Sequence, residues 1–131
     1  MRAAASPLVL VVDDMADTRR LMRRILERAR FRVEEAATGE EAIEAITRER
    51  PDLVVLDLRL PGMSGFDVAR WVRSQPDPET ARIVLLACSA SVQAEVQREA
   101  LDAGADAFEG KPFDVATFPE RIRQLLPGRR L

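Results

Sequence analysis

The sequence contains no histidine and only one cysteine among its 131 residues. Without histidine, the chain cannot build a histidine nucleophile, a histidine general base or a histidine-ligated zinc site. Cys88 has no partner for an internal disulfide, which fits a reducing compartment. No apolar run approaches the length of a membrane span, and Met1 to Ser6 lacks the apolar core of a signal peptide. We therefore expect a cytoplasmic protein that has no membrane partner.

Lysine is nearly absent, because Lys111 is the only lysine among the 20 basic residues. A lone lysine can mark a position that needs a compact ammonium group, although one count also fits drift at a surface position. The net charge of -2 argues against nucleic acid as the main partner. We therefore expect no direct DNA binding. The length and the 47% hydrophobic content indicate one globular domain with a core of its own.

The apolar pattern predicts five strands that are each followed by a helix. The strands are expected at residues 8–12, 31–36, 53–57, 82–88 and 105–109. Five such units in series imply one parallel sheet that is covered by helices on both faces. Asp14 or Asp17 is expected to cap the first helix, and Thr38 and Thr117 to begin capping boxes of the second and fifth helices. The fourth helix, at about 92–103, has the weakest apolar stripe, and Gln75 to Pro78 is expected to be a loop.

Chemically capable side chains follow four of the predicted strands. They are Asp13 and Asp14, Asp57, Ser89 and Lys111. The carboxyl ends of parallel strands share one edge, where neighbouring strands are only about 4.7–4.9 Å apart. Two carboxylates about 4 Å apart repel by roughly 4 kcal/mol at an effective dielectric constant of 20, so the cluster must bind a cation or hold protons. An all-oxygen ligand set suits Mg²⁺. A lysine and a hydroxyl group nearby would complete a pocket for a phosphoryl group, and a carboxylate can accept that group as an acyl phosphate.

The order of these motifs resembles that of the receiver domains of bacterial two-component response regulators, of the chemotaxis type. The matching segments are Val12-Asp13-Asp14, Asp57 with Pro61-Gly62-Met63-Ser64-Gly65, Ala87-Cys88-Ser89-Ala90, and Lys111-Pro112-Phe113. The resemblance implies an α/β, flavodoxin-like (βα)5 fold, which is a three-layer, doubly wound parallel sheet in the strand order 2-1-3-4-5. The expected domain is 8–126, with a disordered tail at 1–7 and a short basic tail at 127–131.

The resemblance also implies a role for each site residue. Mg²⁺ would be bound directly by Asp14, through water by Asp13, and by Asp57 and the backbone carbonyl of Arg59. Asp57 would accept a phosphoryl group from a sensor histidine kinase or a histidine phosphotransfer protein. Ser89 and Lys111 would contact the phosphoryl oxygens, and a downstream effector protein would read the result. The chain would catalyse only its own phosphorylation and dephosphorylation, so it would not be an enzyme acting on other substrates.

Simpler interpretations stay open for three of these residues. Asp13 and Ser89 could be helix caps, and Phe108 could be either the aromatic switch residue of the family or plain core. Phe108 replaces the tyrosine of the chemotaxis type and therefore has no phenolic hydroxyl, while Ser89 stands where many members have threonine. Arg59 and Ser91 occupy positions that tune the phosphoryl lifetime in the family.

Other classes of protein fit the sequence less well. A haloacid-dehalogenase-type phosphatase needs a second aspartate two residues after the first, where this chain has Arg59. A dinucleotide-binding domain needs a glycine-rich turn after the first strand, and Val12 to Thr18 contains no glycine. The sequence shows no effector domain after Leu126, and we expect either a single-domain regulator or a receiver excised from a larger hybrid kinase or regulator. A pseudo-receiver that only binds proteins is the remaining alternative.

Overall fold

The computed structural model describes residues 6–126, so residues 1–5 and 127–131 lie outside the described part of the chain. These ranges contain most of the two predicted tails. Within the described part, the carbonyl oxygen of Ser6 accepts a hydrogen bond from the Arg32 side chain. The carbonyl oxygen of Pro7 accepts one from the Arg32 backbone amide.

Five strands form one parallel sheet in the order β2-β1-β3-β4-β5. They are β1 (Leu8–Val12), β2 (Arg32–Ala36), β3 (Leu53–Asp57), β4 (Val84–Ser89) and β5 (Ala107–Gly110). Every residue of β1 and β3 is buried. An uninterrupted apolar run is typical of a strand that is covered on both faces, because neither set of alternating side chains meets water. The predicted doubly wound fold and its strand order are confirmed.

Six helices cover the sheet within the described residues. They are α1 (Ala16–Arg28), α2 (Gly39–Glu49), α3 (Gly65–Arg73), α4 (Pro78–Ala81), α5 (Ala94–Ala103) and α6 (Phe118–Leu125). None of them is long and apolar enough to cross a membrane. On one face of the sheet, α1 and α6 contribute Met22, Leu26, Phe118 and Ile122 to the core. On the other face, α2 and α3 supply most of the buried helical residues. These two cores give the three expected layers.

The short helix α4 was not predicted. The cluster of prolines at Pro76 and Pro78 indicated a loop, but Pro78 is the first residue of a single helical turn. Asp77 caps that turn by accepting a hydrogen bond from the amide of Glu79 at 3.1 Å. Proline is favourable at the first position of a helix, since that amide has no partner within the helix. Helix α3 has already ended at Arg73, so Asp77 and Pro78 begin a new helical turn within the predicted loop.

Two of the three predicted caps are wrong. Thr38 does cap α2, because its side chain accepts a hydrogen bond from the amide of Glu41. Thr117 makes no cap to α6; its backbone already has φ -103° and ψ -9°, whereas a capping residue is normally extended. Helix α1 begins after Met15 with no side-chain cap, so neither Asp14 nor Asp17 serves there.

The fourth predicted helix is shorter than expected. It corresponds to α5, which begins at Ala94 rather than at Val92, and Val92 is exposed. Only Ala100 and Ala103 of α5 are buried, in agreement with the weak apolar stripe of the sequence. Gly104 ends the helix with φ +119°, a conformation that glycine adopts without strain.

Candidate functional site

The polar residues that were predicted at the strand ends meet at one edge of the sheet. Asp13 directly follows β1, Asp57 ends β3, Ser89 ends β4 and Lys111 directly follows β5. Asp57 is in register with Cys88 of β4, and Ser89 is in register with Gly110 of β5. The parallel topology therefore brings four separate segments together at the carboxyl edge.

Asp57 is buried, and the segment after it is held tightly against the end of β3. Its Oδ1 accepts a hydrogen bond from the backbone amide of Arg59 at 3.0 Å. The amide of Gly65, the first residue of α3, donates to the carbonyl oxygen of Leu58 at 3.1 Å. A Cβ atom at residue 65 would overlap the backbone of Asp57 and Leu58. Glycine at this position thus allows α3 to begin directly behind Asp57.

Asp13 is almost completely buried and all of its polar groups are engaged. Its amide donates to the carbonyl oxygen of Ala36 at 3.1 Å. Its Oδ1 accepts from the amide of Met15 at 2.9 Å, and its Oδ2 accepts from Nζ of Lys111 at 2.6 Å. The residue that directly precedes α1 is Met15, and no side chain caps this helix. The interpretation of Asp13 as a helix cap is therefore wrong.

Asp13, Asp14 and Asp57 form a cluster in which one carboxylate oxygen of each lies within 4.8 Å of the others. Asp14 is exposed, whereas Asp13 and Asp57 are buried. The cluster offers oxygen ligands alone, and an exposed ligand leaves room for bound water. Both properties fit Mg²⁺, which prefers oxygen and keeps several waters. The donor set therefore fits the predicted ion.

Lys111 supplies positive charge to this cluster. Its Nζ lies 2.6 Å from Oδ2 of Asp13 and 3.3 Å from Oδ2 of Asp57. Burial acts to lower the pKa of Lys111, but the hydrogen bond to Asp13 and the charge of Asp57 outweigh burial, so the pKa lies above its usual 10.5. Burial raises the pKa of the Asp57 carboxyl above its usual 3.8, although the Arg59 amide and Lys111 oppose this. Burial thus makes the ionised form of Asp57 less favourable, and an added cation would reduce this free-energy cost.

A cleft of about 460 Å³ opens onto the cluster and is lined by Asp14, Met15, Asp57, Arg59, Leu60, Pro61, Ala90 and Lys111. A second cavity of about 410 Å³ lies at the amino-terminal end of the strands, beside Pro7, Phe31 and Leu126. Two arginines and Glu120 line it, but it contains no carboxylate cluster. Only the first of these two cavities is lined by acids of the cluster, Asp14 and Asp57, together with Lys111.

Ser89 is buried and lies near the cluster, but its hydroxyl is engaged in its own loop. Its Oγ accepts a hydrogen bond from the amide of Ser91 at 3.0 Å. Because α5 begins only at Ala94, with no side-chain cap, the interpretation of Ser89 as a helix cap is wrong. The amide of Lys111 donates to the carbonyl oxygen of Ser89 at 2.9 Å, which ties the two segments together through their backbones.

Phe108 lies on β5, three residues before Lys111. It is half-buried and packs against the small cluster of Leu58, Ala87 and Ala100. This position leaves both interpretations of Phe108, as core and as switch residue, in place.

Arg19 is a residue near the site that the sequence did not single out. Its Nη1 donates to the carbonyl oxygen of Asp13 at 2.7 Å, and its Nε donates to Glu35 on β2 at 3.0 Å. Arg23 donates to the other oxygen of Glu35 at 2.6 Å. Burial raises the pKa of Glu35, but the hydrogen bonds from Arg23 and Arg19 prevail and lower it below 4.5. In the sequence Arg19 is one of many arginines on α1 and carries no distinguishing signal.

The comparisons with known proteins agree with this architecture. Residues 9–123 match the family model described as the response regulator receiver domain. The chain is 30% identical over 119 residues to sporulation initiation phosphotransferase F of Bacillus subtilis, covering 91% of this chain and 93% of that protein. It is 41% identical over 118 residues to the response regulator MprA of Mycobacterium leprae, covering 90% of this chain and 50% of MprA. The chain thus spans about half the length of MprA.

Solved structures show the same fold. Chemotaxis protein CheY4 of Vibrio cholerae superposes with a TM-score of 0.87 at 30% identity, over 93% of this chain and all of that one. A putative response regulator from Chloroflexus aurantiacus superposes with a TM-score of 0.86 at 29% identity, over 92% of this chain and 98% of that one. With its motifs, its topology and its family match in agreement, the chain belongs to the response regulator receiver domain family.

Proposed function

We propose that Asp57 is the phosphoacceptor of this receiver domain and that the carboxylate cluster binds the Mg²⁺ ion that phosphorylation requires. The observation that carries the proposal is the position of Asp57, which is buried at a strand end beside two further acids and Lys111. Receiver domains are signalling modules, and this one acts on no substrate other than itself. Its only chemistry is the gain and loss of its own phosphoryl group.

Asp14 and Asp57 would bind the ion directly, Asp13 would bind it through water, and the backbone carbonyl of Arg59 would complete the protein ligands. When bound, Mg²⁺ supplies positive charge that brings the phosphoryl oxygens and the carboxylates together. Lys111 supplies the second positive charge of the site. The fit rests on the three carboxylates and their spacing.

In the transfer step, a carboxylate oxygen of Asp57 attacks the phosphorus atom of the donor. An oxygen–phosphorus bond forms and an acyl phosphate results. The phosphorus–nitrogen bond of the donor phosphohistidine breaks, and its electron pair returns to the imidazole. Lys111 pairs with one phosphoryl oxygen, and the hydroxyl of Ser89 turns from Ser91 to donate to another.

The partners are a sensor histidine kinase or a histidine phosphotransfer protein on the input side and an effector protein on the output side. The likeness to a protein named as a phosphotransferase, over 93% of its length, supports a place in a phosphorelay. The output is a protein contact rather than DNA binding, because the chain carries a net charge of -2. Salt-sensitive DNA binding by the purified chain would contradict this part. We place the protein in the cytoplasm, where these partners could reach the exposed cleft.

A pseudo-receiver that only binds proteins is the alternative. The presence of all three acids, the hydroxyl and the lysine disfavours it, because each is placed at the same edge of the sheet. The roles above are the same whether the chain acts alone or as a receiver excised from a larger hybrid kinase or regulator.

Incubation with a small acyl phosphate and Mg²⁺ tests the proposal. Intact-protein mass spectrometry should show one added phosphoryl group that is stable in acid and labile in base. The group should be absent from Asp57→Asn and from wild-type protein that is treated with a chelator. Calorimetric titration with Mg²⁺ should show one site that Asp14→Ala abolishes. Labelling of Asp57→Asn to the wild-type level would rule out Asp57 as the acceptor, and unchanged Mg²⁺ binding by Asp14→Ala would rule out the metal site.

A further inference from the structure

Arg19 holds the peptide group that joins the two aspartates after β1. Its Nη1 lies 2.7 Å from the carbonyl oxygen of Asp13, and its Nε lies 3.0 Å from Oε1 of Glu35. The Arg19 side chain is only 18% exposed. The carbonyl of Asp13 belongs to the same planar unit as the amide nitrogen of Asp14. A hydrogen bond that fixes this carbonyl therefore fixes the plane from which the Asp14 side chain departs.

Asp13 and Asp14 depend on this contact to different degrees. The Asp13 carboxylate is held independently, by the amide of Met15 and by Lys111. The Asp14 carboxylate is exposed and accepts no hydrogen bond from residues 6–126. No hydrogen bond within these residues directs it, so its position depends on the Asp14 backbone and torsions alone, and Arg19 fixes the peptide plane on the amino-terminal side of that backbone.

Glu35 holds Arg19 in place and balances its charge. One oxygen of Glu35 accepts from Arg19 and the other accepts from Arg23 at 2.6 Å. Without a neighbouring carboxylate, a guanidinium beside the acids would oppose the binding of a second cation. Arg23 also pairs with Glu27 at 2.9 Å, so two carboxylates face the two arginines, and Arg19 can approach the acids while adding little net positive charge.

We propose that Arg19 is a positioning residue for the magnesium site, acting through the Asp13–Asp14 peptide to direct the Asp14 carboxylate toward the ion. This inference rests on the proposed function, because it requires that the acid cluster binds Mg²⁺. Arg23 provides a matched control within the same ion-pair cluster. It shares Glu35 with Arg19 and lies four residues further along α1, but its hydrogen bonds and ion pairs within residues 6–126 go to Glu35 and Glu27, not to Asp13 or Asp14.

The test compares calorimetric Mg²⁺ titrations of Arg19→Gln and Arg23→Gln. Both variants lose one positive charge, which by electrostatics alone should tighten the binding of a cation. The positioning role predicts that Mg²⁺ binding becomes weaker in Arg19→Gln and not in Arg23→Gln. Removing a partner that orients a metal ligand costs roughly 10–100-fold in metal affinity. Because Arg19 acts on Asp14 only through the backbone, we expect a loss of Mg²⁺ affinity near the lower bound, about tenfold. Arg23→Gln should bind Mg²⁺ as tightly as wild type or slightly more tightly.

Two further measurements separate positioning from a general loss of stability. If Arg19→Gln does not fold by circular dichroism, Arg19→Lys and Arg23→Lys replace the pair. A lysine has one nitrogen in place of the two that Arg19 uses, so we expect it to hold the Asp13 carbonyl less firmly, and Arg19→Lys should bind Mg²⁺ more weakly than Arg23→Lys. In metal-free protein, ¹⁵N relaxation should show greater motion of the Asp14 amide in the Arg19 variant than in the Arg23 variant.

The outcomes distinguish this inference from the proposed function. Wild-type protein that binds no Mg²⁺ would overturn both. If wild type binds Mg²⁺ while Arg19→Gln binds it as tightly as Arg23→Gln, the metal site stands and the positioning role is wrong. The same conclusion follows if the Asp14 amide is equally rigid in the two variants.

Discussion

Nζ of Lys111 lies closer to Asp13, at 2.6 Å, than to Asp57, at 3.3 Å. Lys111 therefore compensates mainly the charge of the more deeply buried acid, which is 1% exposed. A cation that enters the cluster competes with the ammonium group for the same carboxylate oxygens. We therefore expect Lys111 to act as an internal counter-ion in the metal-free protein and to become available to another anion once a cation neutralises the acids.

This relationship predicts that Lys111→Met lowers stability mainly when no Mg²⁺ is present. Removing one partner of a fully buried ion pair costs about 3–5 kcal/mol, and the partial exposure of Lys111 reduces the expected loss to about 2–3 kcal/mol. Saturating Mg²⁺ should recover most of that loss and should bind more tightly than to wild type. Urea denaturation with and without Mg²⁺ measures both effects. Lys111→Arg, which keeps the charge, is the control; an equal loss of stability in both conditions would contradict the counter-ion role.

Two glycines in the segment after Asp57 give a second prediction. Gly65→Ala forces a Cβ against the backbone of Asp57 and Leu58, which should lower the free energy of unfolding by about 1–3 kcal/mol and slow phosphorylation by an acyl phosphate. Gly62→Ala is the matched control. Gly62 has φ +72°, and a Cβ there would meet only Oε2 of Glu40 at an ordinary 3.9 Å, so the change costs only backbone strain of about 1–2 kcal/mol and should leave the rate unaltered. Equal rates in the two variants would show that the clash at residue 65 is relieved without moving Asp57.

The Glu35 cluster predicts a dependence of stability on pH. The two arginines lower the pKa of Glu35 below 4.5, so the ionised carboxylate stabilises the folded state. That stabilisation is complete above the unfolded-state pKa and is lost as the pH falls through the lower folded-state pKa. Glu35→Gln should therefore cost about 1–2 kcal/mol near neutral pH and progressively less as the pH falls below 4.5.

Chemical denaturation across this pH range, with Glu34→Gln as the control, tests the prediction. Glu34 precedes Glu35 on β2, is half-buried and has no ion pair among residues 6–126. A difference between Glu35→Gln and wild type that does not change with pH would mean that the carboxylate contributes no charge-dependent stability.

The features of this structure that could be predicted are those that a run of consecutive residues indicates. The apolar runs of β1 and β3 and the polar residues that end them lie together in the sequence, and a parallel sheet then brings the polar ends together. Arg73 shows what could not be predicted. Its guanidinium donates to the carbonyls of Gly104, Ala81 and Ile83 and to Asp106, so it joins α3 to segments up to 33 residues away.

In the sequence, Arg73 is indistinguishable from a solvated arginine on an amphipathic helix, and the same holds for Arg19 on α1. Both act through contacts with backbone carbonyls, which are present at every residue and leave no trace in the sequence. The motifs therefore indicate which side chains carry the chemistry. The residues that hold those side chains in place emerge only from the tertiary contacts.

The last prediction concerns how phosphorylation reaches the surface of the domain. The hydroxyl of Ser89 is bonded within its own loop, to the amide of Ser91 at 3.0 Å. A phosphoryl group on Asp57 adds negative charge and acceptor oxygens beside Ser89 and Lys111. The Ser89 hydroxyl proton is free to donate to these oxygens, and we expect Ser89 to move toward them and to draw along Ala90 and Ser91, which continue the same segment. We expect that movement to make room for Phe108 to turn inward.

The structure offers little resistance to such a change. Phe108 is only half-buried, and the buried residues of α5 are the small Ala100 and Ala103, with Val96 half-buried beside them. The phosphoryl contact must favour the inward arrangement by a few kcal/mol to shift the populations decisively, which is within the range of charge-assisted hydrogen bonds. The surface formed by α5, β5 and α6 is then the expected output face.

Beryllofluoride, which mimics a phosphoryl group, allows this to be measured by NMR. In the presence of Mg²⁺, it should shift the amide resonances of 89–103 and of the residues around Phe108. Ser89→Ala should reduce these distant shifts while leaving those next to Asp57. Ser91→Ala is the control, because the Ser91 amide, and not its side chain, bonds Ser89 in the resting state. If the shifts stay confined to residues that touch the cleft, or if Ser89→Ala and Ser91→Ala behave alike, the domain does not signal through Ser89 and this face.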